Sequence, residues 1–176
     1  MRKVILFIAM SLDGYIADKY GNVDWLNGQD KNEENIDTYS MFIKDIDTVI
    51  MGWHTYHQIV TELSPAEWVY SDLTSYVITH RELSSTDKII FTQNNPCNII
   101  NELKQEKGKS IWVCGGADII QQLIKNDLID EYYISVIPTI LGSGIRLFGT
   151  TSNEIKLKLI NTQTYNGITD LIYTRR

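Results

Sequence analysis

Cysteine is nearly absent from this chain: Cys97 and Cys114 are too few for a disulfide framework in 176 residues, and both are expected to be reduced and structural. A reactive thiol at Cys114, which ends an apolar run, is the alternative reading. Basic residues are also scarce. Sixteen Lys and Arg against 22 Asp and Glu leave a formal charge of -6 and a pI near 5.0, with no basic cluster. That excludes a broad nucleic-acid or membrane surface and makes any anion site local. Long apolar runs are missing as well, and nothing approaches the roughly 18 residues of a membrane helix. Val4 to Met10 passes into Ser11-Leu12-Asp13-Gly14 without a small-residue cleavage site, so it reads as a buried first strand of a cytoplasmic protein, not as a signal peptide. His54 and His57 stand one helical turn apart and His80 further on, but no thiolate or carboxylate motif completes a metal site, and no metal is expected. There is no internal repeat, low-complexity tract or linker.

What is present is 43% apolar residues, enough for one globular domain with a substantial core over residues 1–176. Strand signals fall at Val4–Met10, Thr48–Met51, Ser75–Thr79, Lys88–Thr92 and Ser110–Cys114. Helical spacing is read over Lys31–Lys44, from Trp53 to about Val60, over Cys97–Lys107, and from Ala117 to near Asn126. After Leu128 the pattern becomes β-type at Glu131–Pro138, Glu154–Tyr165 and Ile168–Arg175, and Asn166-Gly167 between the last two signals a hairpin. This predicts an α/β fold with a mixed, mostly parallel sheet and an antiparallel carboxy-terminal hairpin. Ser11–Trp25 and Pro138–Gly149 read as loops, the first long enough to be an active-site loop.

The most informative motif is Cys114-Gly115-Gly116-Ala117, where a strand runs through two glycines straight into a helix. Glycine lets backbone approach a bulky anion, and a helix start offers unpaired N–H donors and partial positive charge. The full G-x-G-x-x-G fingerprint is absent, and Gly-Gly alone also suits a plain tight turn. A second turn of the same design, Met51-Gly52-Trp53, strengthens the reading. In a parallel sheet both turns fall at the carboxyl edge, where an extended nucleotide can bridge them.

Four segments then form a series: Ser11-Leu12-Asp13-Gly14-Tyr15-Ile16-Ala17; Val49-Ile50-Met51-Gly52 with Thr55-Tyr56; Trp112-Val113-Cys114-Gly115-Gly116; and Ile137-Pro138 with Leu141-Gly142, Gly144 and Leu147-Phe148. Together they resemble the dihydrofolate reductase-like superfamily, and within it the reductase domain of the bifunctional riboflavin-biosynthesis deaminase-reductase, over essentially the whole chain. The resemblance implies a three-layer fold and NADPH laid across the sheet edge. It places Gly52, Trp53, His54 and Thr55 at the pyrophosphate and nearby ribose, with Gly115, Gly116, Ala117, Asp118 and Ile119 on the cofactor's other side. Thr79, His80 and Arg81 would sit near the adenosine end, and Ala9 and Ile16 near the nicotinamide. The family commonly has a basic residue where Trp53 stands, so NADH is also admitted. Arg81 is the substitute partner for a 2′-phosphate; Trp53 either stacks on adenine or packs.

Hydride transfer needs positioning and a nearby proton source. Asp30, Glu33, Glu34 and Asp37 lie where dihydrofolate reductases carry a helix-borne acid. Counting from Trp25 points to Asp30, and counting back from Gly52 points to Asp37; alternatively, all of these acids decorate an exposed helical face. Asp13 is the other catalytic candidate, or else a turn-former. Trp25 lines the substrate pocket or packs the loop, and Arg146 among glycines can clamp an anionic group. No zinc-deaminase signature accompanies Pro96-Cys97, so a stand-alone reductase domain is implied. Its expected substrate is a small molecule, either the riboflavin-pathway pyrimidine or dihydrofolate, and its expected assembly a homodimer. A nucleotide-binding module without catalysis is the remaining alternative.

Overall fold

In the computed structural model, which describes residues 1–33, 36–151 and 154–176, the first apolar run becomes strand β1 (Val4–Ser11) in the interior of an eight-stranded sheet. A strand covered on both faces needs a near-continuous hydrophobic run, and Val4 to Met10 supplies it. The chain continues through β2 (Tyr15–Ala17), α1 (Thr38–Phe42), β3 (Ile46–Gly52), α2 (Trp53–Gln58), β4 (Thr74–Ile78), β5 (Ile89–Thr92) and α3 (Pro96–Gln105). It ends with β6 (Ser110–Gly115), α4 (Ala117–Lys125), β7 (Glu131–Ile137), β8 (Ile145–Arg146), β9 (Leu157–Tyr165) and β10 (Ile168–Arg175). The sheet order is β5-β4-β3-β6-β1-β7-β10-β9. All contacts from β5 to β7 are parallel, and β10 and β9 add antiparallel strands. The hairpin turn has φ of 46° at Asn166 and 74° at Gly167, the left-handed pair that matches strand twist.

The sheet is covered on both faces. On one, α3 and α4 bring Ile100, Leu103, Ile120 and Leu123 onto Val4, Leu6, Ile111 and Val113. Each such side chain removed from water contributes about 1.5–3 kcal/mol. On the other, Val49, Met51, Val77 and Trp112 pack with Phe7 and Phe42. Phe7 stacks on Phe42 at 4.2 Å and meets Trp112 edge-on at 6.2 Å, a geometry that suits aromatic quadrupoles. At the amino-terminal edge, buried Arg2 ties three strands by bonding Asp47, Thr48 Oγ1 at 2.6 Å and the Lys109 carbonyl at 2.7 Å.

Three expectations change. The helix read over Lys31–Lys44 is only Thr38–Phe42 followed by a 3₁₀ turn, Ile43–Asp45. Its start is set by Asp37, which caps the Ser40 amide, while the Asn166 side chain holds the Asp30 backbone outside any helix. The two segments read as loops also pair with each other, since β2 and β8 form an antiparallel ribbon matching Tyr15 to Arg146 and Ala17 to Ile145. Finally, the strand expected from Glu154 begins at Leu157.

Candidate functional site

Neighbouring strands β3 and β6 end at the same edge, with Met51 opposite Gly115. A Cβ placed on Gly52 would lie 3.5 Å from Ile119 Cγ1 and 3.8 Å from the Gly116 nitrogen, so the two glycine turns touch. Thr55 seats beneath both Gly115 and Gly116, its Oγ1 3.4 Å from the position of either Cβ. Gly115 adopts φ +146°, and the peptide joining it to Gly116 is cis. The helix starts separate into two kinds. Those of α1 and α3 are capped by Asp37 and Asn95, whereas those of α2 and α4, at Gly52 and Gly116, have no side-chain cap. First-turn N–H groups need an external acceptor, and an anion is a fitting one.

β4 lies on the far side of β3 and ends beside buried Thr79. The Thr79 hydroxyl accepts from the Arg81 amide at 3.1 Å, and the Arg81 guanidinium lies 4.7 Å above the Trp53 ring. Such a contact leaves the guanidinium edge available to a phosphate. His54, His80 and Asp118 are exposed around this region, Ala117 is half-buried, and Ile119 is buried under Gly52. Ala9 is half-buried near the end of β1, and Ile16 on β2 packs toward the α4 side of the sheet.

The acids named as catalytic candidates do not converge. Asp37 is exposed, and bonds from the Ser40 hydroxyl and amide hold its carboxyl below the usual range. Asp30 is exposed and accepts from the Asn32 amide at 2.8 Å. Glu33 is exposed, and Glu34 lies outside the described residues. Asp13 instead joins two loops: it accepts from Ser11 Oγ at 2.6 Å, Gly142 N at 2.7 Å and Leu141 N at 3.1 Å. The Ser11 hydroxyl first, and then these amides against the opposing effect of desolvation, keep its carboxyl ionised below the ordinary value. Trp25 donates to the Asn22 carbonyl within its own loop at 3.2 Å, and Arg146 lies 4.9 Å over the Tyr15 ring on the β2–β8 ribbon. Burial pushes the Cys114 thiol up to about 12, so it is protonated near neutrality and unsuited to nucleophilic chemistry.

One residue escaped the sequence reading. Asp170 on β10 is fully buried, and its carboxylate accepts from Ser135 Oγ at 2.6 Å, Gln163 Nε2 at 2.8 Å, Tyr133 OH at 3.2 Å and Tyr165 OH at 3.4 Å. Burial first, and then the adjoining carboxylate, push the Tyr133 hydroxyl up to about 12. A signal for it existed. Asp170 alternates with Ile168 and Ile172 and so holds an inward position on its strand.

A mostly parallel sheet with an antiparallel hairpin beyond its last parallel strand is a dihydrofolate reductase-like fold. The structure is similar to dihydrofolate reductase from Enterococcus faecalis complexed with NADP(H), with a TM-score of 0.68 over 99% of this chain and 96% of that one, at 14% identity. Within this class the chain belongs to the RibD C-terminal domain family, whose model matches residues 2–171. It is 42% identical over 175 residues to the uncharacterised protein YwjB of Bacillus subtilis, covering 99% of this chain and 98% of that protein. It is also similar in structure to the diaminohydroxyphosphoribosylaminopyrimidine deaminase/5-amino-6-(5-phosphoribosylamino)uracil reductase of Thermotoga maritima, with a TM-score of 0.71 and 17% identity. That match covers 99% of this chain and 57% of the larger protein. No helix among the described residues is long and apolar enough to cross a membrane.

Proposed function

We propose that this protein is an NADPH-dependent reductase that transfers hydride to a small heterocycle, of the kind reduced by 5-amino-6-(5-phosphoribosylamino)uracil reductases. The observation that carries the reading is the pair of touching glycine turns whose helices, alone among the four α-helices of the described residues, lack side-chain caps. In this reading the backbone of Gly52 to Thr55 and of Gly115 to Ile119 holds the pyrophosphate. Arg81, stacked on Trp53, takes the 2′-phosphate and favours NADPH over NADH. A reduced nicotinamide bound there supplies the hydride. Ala9 and Ile16 border its ring; Asp13 holds the 141–142 loop against the β1–β2 turn; Arg146 and Trp25 face the substrate from the loops.

Dihydrofolate is the weaker substrate. Among the described residues between Trp25 and α1, the acids are exposed, and Asp37 is occupied by its own helix start, so none fills the role of a buried helix acid. A homodimer through edge strand β9, where Leu159 and Ile160 stand about half exposed at 48% and 54%, belongs to the same reading.

Titration with NADPH and NADH, followed by tryptophan fluorescence and melting temperature, tests it together with NADPH oxidation over a panel of aminouracil and pterin acceptors. Tight NADPH binding and turnover with an aminouracil are expected. Arg81→Ala should reduce the NADPH-to-NADH preference roughly tenfold, the scale of one charge-assisted phosphate contact. If neither nucleotide changes fluorescence or melting, the reductase reading falls. Binding without turnover across the panel would favour a non-catalytic module.

A further inference from the structure

Glycine follows an Asp or Asn at three places in the chain: Asp13-Gly14, Asn27-Gly28 and Asn166-Gly167. With no Cβ on the second residue, its backbone nitrogen can approach the side-chain carbonyl carbon of the first and close a five-membered ring. Folding withdraws two of the three pairs from this chemistry. The Asp13 carboxyl is held ionised by Ser11 Oγ, Gly142 N and Leu141 N, and the Gly14 amide is taken by the Ser11 carbonyl at 2.9 Å. A carboxylate is a poor electrophile, and a bonded amide is a poor nucleophile. Asn166 is buried, with Oδ1 accepting from the Asp30 amide and Nδ2 donating to the Asp30 carbonyl, both at 2.9 Å. Its side chain turns toward Gly167 only by losing those bonds.

Asn27 is left open. It is exposed, and Nδ2 donates to the Asp24 carbonyl at 2.6 Å, while Oδ1 and the Gly28 amide have no hydrogen-bond partner among the described residues. Position 28 is also restricted to glycine, since a Cβ there would collide with the Asn166 side chain. Packing therefore keeps this pair beside the point where Gln29 N and Asp30 N are fastened to the β9–β10 turn. We propose that Asn27 is a site of spontaneous deamidation by water, and that the reaction unfastens residues 28–30 from that turn. Gly28 N gives its proton to hydroxide and bonds to Asn27 Cγ, the Cγ–Nδ2 bond breaks, and the nitrogen takes a proton from water and leaves as ammonia. A further water opens the cyclic imide at one of its two carbonyls. One water is consumed and one ammonia released, with no oxidation or reduction. The product at position 27 is an aspartate or an isoaspartate, and the second lengthens the main chain by one carbon. Either adds a negative charge between Asp24 and Asp30.

The test incubates the full chain at mildly alkaline pH, folded in buffer and unfolded in guanidinium chloride. Each peptide is followed by mass spectrometry, and isoaspartate is counted by enzymatic methylation. In the folded protein a gain of about one dalton should accumulate at residue 27 at least roughly tenfold faster than at residue 166, the scale of the side-chain bonds that Asn166 must first open. Unfolding should erase that difference, because both pairs then share the same local chemistry. Asn27→Gln, which closes the larger six-membered ring slowly, should lose the gain and keep the fold. In the aged wild type, hydrogen exchange at the Asp30 amide should quicken in step with the conversion of residue 27. Equal rates at residues 27 and 166 in the folded protein, or no gain at residue 27, would overturn the site. Full conversion with unaltered exchange at the Asp30 amide would overturn the unfastening.

Discussion

Gly52 and Gly115 lack side chains for different reasons. At Gly115 the backbone itself requires glycine, because φ +146° is a region that L-residues rarely enter, and any substitution there strains the turn whatever binds. At Gly52 the backbone is extended, with φ -84° and ψ 166°, and a Cβ would meet its nearest neighbour at an ordinary 3.5 Å. Gly52→Ala is therefore the clean probe of the anion cradle. Its melting temperature should match the wild type, while NADPH affinity drops by roughly tenfold as the methyl group crowds the helix start. Equal affinity in a titration would remove Gly52 from the cradle. The glycines themselves were legible from strand–glycine–helix order, but this difference between them was not. It depends on one dihedral angle and on where Ile119 lies.

At the level of elements, the β9–β10 turn does more than reverse the chain. Asn166 Oδ1 accepts from the Asp30 amide at 2.9 Å, its Nδ2 donates to the Asp30 carbonyl at 2.9 Å, and its own carbonyl accepts from Gln29 N at 2.9 Å. The turn fastens the segment ahead of α1, which is why the helical spacing read from Lys31 yields helix only from Thr38. Asn166→Gly keeps the left-handed backbone accessible and deletes the side-chain bonds. Faster hydrogen exchange at the Asp30 amide is expected, along with a raised KM for the proposed pyrimidine acceptor and unchanged NADPH affinity. Unaltered exchange at that amide would show that the fastening lies elsewhere. Asn-Gly announced the hairpin from sequence; nothing local announced its grip on a segment 136 residues earlier.

For the whole molecule, stability should depend on a carboxylate remote from the glycine turns. Asp130 accepts from the Val4 amide at 2.9 Å, Lys104 Nζ at 2.8 Å and Arg175 at 2.7 Å, linking β1, α3 and β10. Burial alone would raise its carboxyl, but these donors outweigh it and hold the folded value below the ordinary one. A depressed folded pKa means that the stabilisation is complete above the unfolded value, about 3.9, and is lost as pH falls through the folded one. The stability difference between wild type and Asp130→Asn should be widest above about pH 5 and should narrow steadily on acidification. Urea unfolding at several pH values measures it; a constant gap would show that Asp130 contributes packing rather than charge.

The sequence alone determined the strands of the main sheet, most of the helices, the hairpin and the glycine turns, because these follow from side-chain period, turn chemistry and helix-start chemistry within a few residues, whereas the short β2 and β8 were not legible. Tertiary structure decided which of them meet. Only the sheet order brings Gly52 against Gly116, only the register aligns Ala9, Ser135 and Asp170, and only packing lays Arg81 over Trp53. These contacts join residues far apart along the chain, and they arise because the sheet must bury both its faces at once, a demand that no local pattern expresses.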